Sequence, residues 1–254
     1  IGGGNMGGAI AHALHAAPNF SVAVVESDEE KRKHFSILGI PAHATLAQAP
    51  RANIAILAIK PQQFSAYSAE LAQTKAPLLV SIMAGITLAQ LQAVCEQPVR
   101  VMPNLPAAIG ESMSVLCAPN LPAAARVAVS DVFANIGSVA WVEDEDALHA
   151  VTAISGSGPA YLFAFMDALQ HAAIAQGLPP ALAQQLVMQT VKGSALLASQ
   201  STEDVAVLCT QVASKGGTTE AALAALRAGN LNGLVMAAAD AARARSKALA
   251  GSKT

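Results

Sequence analysis

Three short apolar runs constrain the fold of this chain more than anything else in it. They are Asn53–Ile59, Leu78–Ile82 and Val99–Met102. Apart from Asn53 at the start of the first and single interruptions at Ser81 and Arg100 they are apolar, without the regular alternation of a strand with one wet face. A strand that is apolar on both sides must be covered on both sides, which is the signature of a parallel sheet flanked by helices. Each run ends in a small or polar loop: Lys60-Pro61-Gln62, Met83-Ala84-Gly85 and Pro103-Asn104-Leu105-Pro106. Met113–Cys117 and Ser138–Val142 read as further strands, with a helix between them. Strands alternating with helices over residues 1–142 predict a doubly wound α/β sheet, whose ligands bind at the C-terminal strand ends.

The start of the chain agrees with this. Ile1-Gly2-Gly3-Gly4-Asn5-Met6-Gly7 fits G-x-G-x-x-G at Gly2, Gly4 and Gly7. In a dinucleotide fold the first glycine makes the tight turn, the second admits pyrophosphate to the backbone, and the third lets helix and sheet pack closely. The helix that follows runs through Ile10 and Leu14 and stops near Pro18. Because the chain opens directly on the glycine turn, most of a first strand is expected to precede Ile1. Ser21–Glu26 is a β-rich run ending in an acid, 19 positions beyond Gly7. A carboxylate at that place accepts a ribose hydroxyl and so favours NADH, whereas a 2′-phosphate needs Lys31 or Arg32 to reach it. The same residue also reads as a solvated strand end. Residues 28–38 form a charged amphipathic helix closed by Gly39.

The pattern changes at about Asp144. Beyond it no strand is evident, and helices are predicted over 146–152, 161–175, 181–199, 203–212, 219–228 and 231–249. The domain reading is therefore residues 1–143 for dinucleotide binding and residues 144–254 for an all-helical domain. The helix Tyr161–Ala175 carries Leu162, Phe163, Phe165, Met166 and Leu169 around most of its circumference. A helix of that kind is buried on more than one side, by a second subunit or by the first domain.

Late in the chain, Ser214-Lys215-Gly216-Gly217-Thr218-Thr219 runs into the helix Glu220–Leu226. The free N–H groups and dipole of a first helical turn suit a small carboxylate, and Ser214, Thr218 and Thr219 add hydroxyls. Locally this is equally an ordinary capped helix.

Other signals narrow the function by subtraction. The net charge of −2 comes with no basic block, so nucleic acid is not an expected partner, and Arg243, Arg245 and Lys247 read as a solvated helix face. Cys95, Cys117 and Cys209 have no metal-ligand spacing, and the six histidines form no ligand pattern, so no metal is expected. Residues 76–95 are uncharged, but Ser81, Gly85, Thr87, Gln90 and Gln92 favour strand-turn-helix over a membrane span. With no signal peptide and with thiols expected to be buried, a reducing cytoplasm is the expected compartment. His149 and His171 read as structural histidines.

Taken in order, these motifs resemble those of the Δ1-pyrroline-5-carboxylate reductases. The pieces are Gly2–Gly7, Ala58–Gln62, Ser81–Gly85, Arg100–Asn104, Ile154–Tyr161 and Val212–Thr219. The resemblance implies an N-terminal Rossmann domain, a C-terminal helical domain that interlocks in a homodimer or higher homo-oligomer, and an active site shared between subunits. It implies NAD(P)H-dependent reduction of 1-pyrroline-5-carboxylate to L-proline in proline biosynthesis. The substrate carboxylate would sit on Ser214, Gly216, Gly217 and Thr218, with main-chain donors at Gly217 and Thr218, and Thr219 would meet the imine nitrogen. The cofactor, NADPH or NADH, would take Ile1, Gly2, Gly3, Gly4, Asn5, Met6, Gly7 and Glu26, with Ala58, Ile59, Lys60 and Pro61 and then Ile82, Met83 and Ala84 along the nicotinamide side. Two departures stand out: Leu105 where the family commonly has threonine, and Glu26-Ser27 where many members have Asn-Arg. Two other readings remain. One is a 3-hydroxy acid dehydrogenase of the same plan, which needs a helix-borne lysine base, and Lys192 is the only mid-helix candidate in the second half. The other is a nucleotide-binding dimer without catalysis.

Overall fold

The computed structural model describes residues 1–74 and 76–251. The contacts divide the chain into Ile1–Pro159 with Asp240–Thr254, and Ala160–Ala239; residues 252–254 lie outside the described residues.

The first unit is built on a sheet of five strands in the order β3 (Ile54–Leu57), β4 (Leu78–Ser81), β5 (Pro98–Met102), β6 (Ser112–Cys117) and β7 (Gly137–Val142). Strands β3, β4 and β5 are parallel, as the apolar runs predict. Beside them lies a small parallel pair, β1 (Val24–Val25) and β2 (Ala42–His43). The expected strand 21–26 shrinks to two residues, because β2 offers only two partners. Ile1 and Gly2 lie between the two sheets. The Gly2 N–H donates to Val25 O at 2.8 Å, the Ala58 N–H donates to Ile1 O at 2.8 Å, and the Ile1 nitrogen donates to Ile56 O at 2.7 Å.

The doubly wound sheet predicted from the sequence is present and carries one antiparallel pair. β6 runs antiparallel to β5, and β7 follows β6 in parallel. The link from β5 to β6 is only the 3-10 turn Leu105–Ile109 with its flanks. A parallel return needs a crossover of a dozen or more residues, so this short link forces a reversal.

Side chains along β4 alternate between two cores. Leu78 and Val80 join Ile10, Leu14, Val99, Val101, Leu116, Val129 and Phe133. Leu79 joins Leu57, Phe64, Leu71, Met83, Ile86 and Leu91. Helices α1 (Asn5–Ala16) and α5 (Ala123–Ala134) supply the first cluster, α3 (Phe64–Thr74) and α4 (Leu88–Gln92) the second. Helix α2 (Glu29–Ile37) packs Phe35 against Ala11, Val24 and Ile40. The span 76–95 is thus β4, a turn and α4. No single helix among the described residues is long and apolar enough to cross a membrane.

The contact division differs from the composition change at 143/144. Helix α6 (Ala147–Val151), the π-helical turn Thr152–Gly156 and the end of helix α11 (Leu231–Gly251) belong with the sheet. Polar contacts explain this. Arg100 on β5, its side chain 8% exposed, pairs with Glu145 at 2.7 Å, and the same Glu145 oxygen accepts the Leu88 N–H at 2.7 Å. Asp146 holds Lys247 at 2.8 Å and Arg243 at 3.3 Å, so these two are ion-paired rather than merely solvated. His149 Nδ1 lies 2.8 Å from the buried Ser246 hydroxyl.

The second unit is helical: most of α7 (Gly158–Ala175), then α8 (Pro180–Gln200), α9 (Val205–Val212), α10 (Thr218–Ala228) and the start of α11. Ala183 and Val187 are buried. Helix α7 has no fully buried residue, and Leu162, Phe163 and Phe165 are about half exposed. The thiols also differ from expectation. Cys117 is buried, but Cys95 is half-buried and Cys209, on α9, is exposed. Burial pushes the Cys117 thiol up to about 11, with Glu145 adding to the shift.

Glu145→Ala leaves a buried guanidinium without its carboxylate and Leu88 without its acceptor. A loss of about 3 kcal/mol is expected in urea unfolding. Burial, opposed by Asp146, lowers the His149 pKa from 6.5. The folded form therefore binds fewer protons than the unfolded chain. This contribution is intact above pH 6.5 and is lost as the pH falls below it. His149→Asn is expected to flatten the fall in Tm between pH 7 and pH 5.

Candidate active site

The glycine loop shows why each glycine stands where it does. Gly2 has φ +94°, and a Cβ there would lie 2.6 Å from Ala58 O. A Cβ at Gly7 would fall onto Gly2 O and lie 2.8 Å from Ala58 Cβ. A Cβ at Gly4 would meet nothing within 4 Å. The first and third glycines are thus required by the protein's own packing, while the second faces open space. Gly4 is the N-cap of α1 and has no side chain to cap it, so the first-turn N–H groups are presented to an anion. Beside them opens a groove of about 810 Å³, bordered by Gly3, Gly4, Asn5, His12, Lys31 and His34. The loop and groove fit a dinucleotide pyrophosphate.

Glu26 follows β1 and turns back onto the loop. Its Oε2 accepts the Gly3 N–H at 2.7 Å, and its Oε1 accepts the Asp28 N–H at 2.9 Å. Partial burial pushes its pKa up, but the Asp28 and Gly3 amides and the nearby Lys31 outweigh this and hold the carboxyl below its usual value. Arg32 is committed elsewhere: its Nη1 donates to Glu26 O at 2.8 Å and to Ser27 O at 2.6 Å.

Two of the expected nicotinamide-side loops lie at adjacent strand ends. Ala58 and Ile59, after β3, touch the loop at Gly2. Lys60 is exposed, and Pro61 opens a 3-10 turn, Pro61–Gln63. After β4, the Ile82 N–H donates to Leu57 O at 3.1 Å. Met83 is 4% exposed and its side chain belongs to the core, so only its main chain is available to a ligand. Leu105, after β5, is exposed.

Asn104, in the loop after β5, ties neighbouring segments together. Its Nδ2 donates to Ser155 O at 3.0 Å and its Oδ1 accepts the Met113 N–H at 2.9 Å, tying the end of β5 to β6 and to the π turn. The Pro-Asn pair after an apolar run was the available signal. The π turn overlaps the Ile154–Tyr161 piece, which marked the segment but not its conformation; such turns often mark functional sites.

The Ser214–Thr219 turn belongs to the second unit. Gly216 has φ +73°, and Gly217 is the N-cap of α10, without a side-chain cap. The turn uses two of its own donors: Gly217 N–H to Ser214 O at 3.0 Å, and Gly216 N–H to Glu220 Oε2 at 2.6 Å. That differs from the expected anion donors, Gly217 and Thr218. The first-turn amides of Thr218 and Thr219 are the ones at the open helix end. His171 is exposed, with Nδ1 3.0 Å from Asp167 O, and His149 is held by Ser246. His149 thus has a structural hydrogen bond, whereas His171, expected in a buried helix, is exposed and bonded only to its own helix turn. Among the described residues no group of three or more His, Cys, Asp or Glu is arranged to hold a metal.

The glycine geometry separates fold from binding. Gly4→Val is expected to keep the wild-type Tm while weakening NADH binding at least about tenfold in calorimetry, since only the ligand side is filled. Gly7→Val is expected to lower Tm itself.

Known proteins share this arrangement. Residues 145–249 match the family described as pyrroline-5-carboxylate reductase dimerisation, and residues 1–85 match NADP oxidoreductase, coenzyme F420-dependent. The chain is 37% identical to the pyrroline-5-carboxylate reductase of Haemophilus influenzae, over 97% of this chain and 95% of that one. It is likewise 37% identical to that of Pisum sativum, over 98% and 94%. Among solved structures, the Coxiella burnetii pyrroline-5-carboxylate reductase superimposes with a TM-score of 0.92 at 33% identity, covering 100% of this chain and 97% of that one. The Plasmodium falciparum enzyme with NADP bound gives 0.85 at 29%, covering 98% and 97%. With a Rossmann-like first half, a helical second half and relatives matched along nearly their whole length, the chain belongs to the pyrroline-5-carboxylate reductase family.

Proposed function

We propose that this chain reduces the cyclic imine 1-pyrroline-5-carboxylate to L-proline with NAD(P)H, the last step of proline biosynthesis. One observation carries the proposal: similarity to named reductases runs along nearly the whole chain, and the family matches over residues 1–85 and 145–249 span the glycine loop and the Ser214–Thr219 turn.

The chemistry asks mainly for positioning. A reduced nicotinamide supplies hydride to the imine carbon, and the ring nitrogen, protonated on arrival or from water, becomes the amine. The chain's own residues hold the reactants. Gly2–Gly7 and the α1 N-terminus bind pyrophosphate, Glu26 faces the ribose, and the main chains of Ala58–Pro61 and Ile82–Ala84 flank the nicotinamide. The Ser214–Thr219 turn holds the ring carboxylate with its hydroxyls and its first-turn amides, and Thr219 hydrogen-bonds the nitrogen. Fixing both partners supplies roughly 7–11 kcal/mol in favourable cases, so no strong acid or base is required. Lys60, exposed at its strand end, acts at the cofactor rather than as a proton donor.

The family's dimerisation segment supports homo-oligomerisation. The exposed apolar residues of α7 support assembly through the helical domain, residues 144–254, as a homodimer or larger. Three free cysteines are compatible with a reducing cytoplasm.

NADH or NADPH oxidation with 1-pyrroline-5-carboxylate, against a 3-keto acid control, tests the reaction; turnover of the keto acid alone would reject it. Thr219→Ala is expected to lower kcat about tenfold with cofactor affinity unchanged; wild-type kinetics would remove Thr219 from the reaction. A Cβ at Gly217 would collide with the Ser214 hydroxyl. Gly217→Val is therefore expected to raise KM for the imino acid, and an unchanged KM would put the carboxylate elsewhere.

A further inference from the structure

We propose that Glu26 makes this chain select NADH over NADPH. The inference rests on the reading of the chain as a dinucleotide-dependent reductase and deepens it by naming the cofactor.

Three observations carry it. The Glu26 carboxylate is 2.7 Å from the Gly3 amide, inside the glycine loop. When pyrophosphate lies on the N-terminus of the first helix, the adenosine ribose lies at the end of the second strand of the unit. That is where Glu26 stands, directly after β1. An ionised carboxylate there accepts hydrogen bonds from ribose hydroxyls. A 2′-phosphate offers no such donor and brings close to two negative charges of its own.

The carboxylate is also held in place. Its second oxygen takes the Asp28 amide at 2.9 Å, so swinging aside for a phosphate breaks two charge-assisted hydrogen bonds.

The neighbouring cations do not reverse the field. Arg32 directs Nη1 at the Glu26 and Ser27 carbonyls, and Lys33 pairs with Glu29 at 3.1 Å and Glu30 at 2.8 Å. Lys31 stands against four acids in the same stretch: Glu26, Asp28, Glu29 and Glu30. Its charge acts on Glu26 itself. The Plasmodium falciparum relative was solved with NADP, so the proposal sets this chain apart from it.

The test is direct binding, with catalysis as a second readout. Calorimetry with NADH and NADPH on the full chain is expected to show NADH tighter by at least about tenfold at low salt. Raising the salt is expected to narrow the gap, because a charge-based preference is screened and a steric one is not. Glu26→Gln retains an acceptor for the Gly3 amide and is expected to bring the two affinities within about threefold, mainly by improving NADPH. Ser27→Arg leaves Glu26 in place and is expected to improve NADPH as well. NADPH bound as tightly as NADH by the wild type would overturn the proposal. An unchanged ratio in Glu26→Gln with an unaltered Tm would overturn the role of Glu26. Binding of both cofactors without turnover of the imino acid would count against the proposed reaction, while the ratio of the two affinities would still decide cofactor choice.

Discussion

The first unit depends on a main chain wedged where no side chain fits. Gly2 hydrogen-bonds across to Val25 while its own carbonyl lies against Gly7 and its α-carbon against Ala58. That approach joins the small sheet to the large one and sets the start of α1. The open helix end, the position of Glu26 and the direction of the groove all follow from it. Gly4 is of another kind: no atom of the protein lies within 4 Å of where its Cβ would be. One motif thus holds two different physical demands.

A second constraint acts at the far side of the sheet. The short connection after β5 reverses β6, and Arg100 is buried beneath the turn that follows β7. Glu145 answers it and takes the Leu88 amide as well, so α4, β5 and the entry to α6 meet at one carboxylate. Asn104 does similar work with neutral bonds, fixing the end of β5 to the π turn. These ties, with the Asp146 and His149 contacts to α11, give the sheet unit a stretch of chain from each end of the helical half. Exposed pairs such as Asp146–Lys247 add little stability individually. The buried pair is costly to leave half made.

The helical unit makes the opposite kind of statement. Its helices form where periodicity and capping place them, yet Leu162, Phe163 and Phe165 stay open to solvent. A helix that is apolar all round is stable in water only when something covers it. The dimerisation family matched over residues 145–249 supplies the reason for such a composition.

Much of this was legible in the residues. Largely apolar runs marked β3, β4 and β5, because burial on both faces leaves little place for alternation; Ser81 and Arg100 are the polar residues within them. The glycine spacing marked the loop, because positive φ and backbone contact exclude other residues. The break near Asp144 marked the loss of strand pattern. What the residues left open were matters of contact between segments far apart in sequence. The reversal of β6, the seat of Arg100 on Glu145, the burial of Met83 and the commitment of Arg32 to carbonyls could not be read from periodicity. Local propensity carries information over a few residues, but hydrogen-bond partners and burial are set by chain that returns from a distance. So the sequence alone determined which elements form and where a glycine turn opens a helix, whereas the tertiary structure alone decided which charges are paired inside the protein, because their partners come from distant segments.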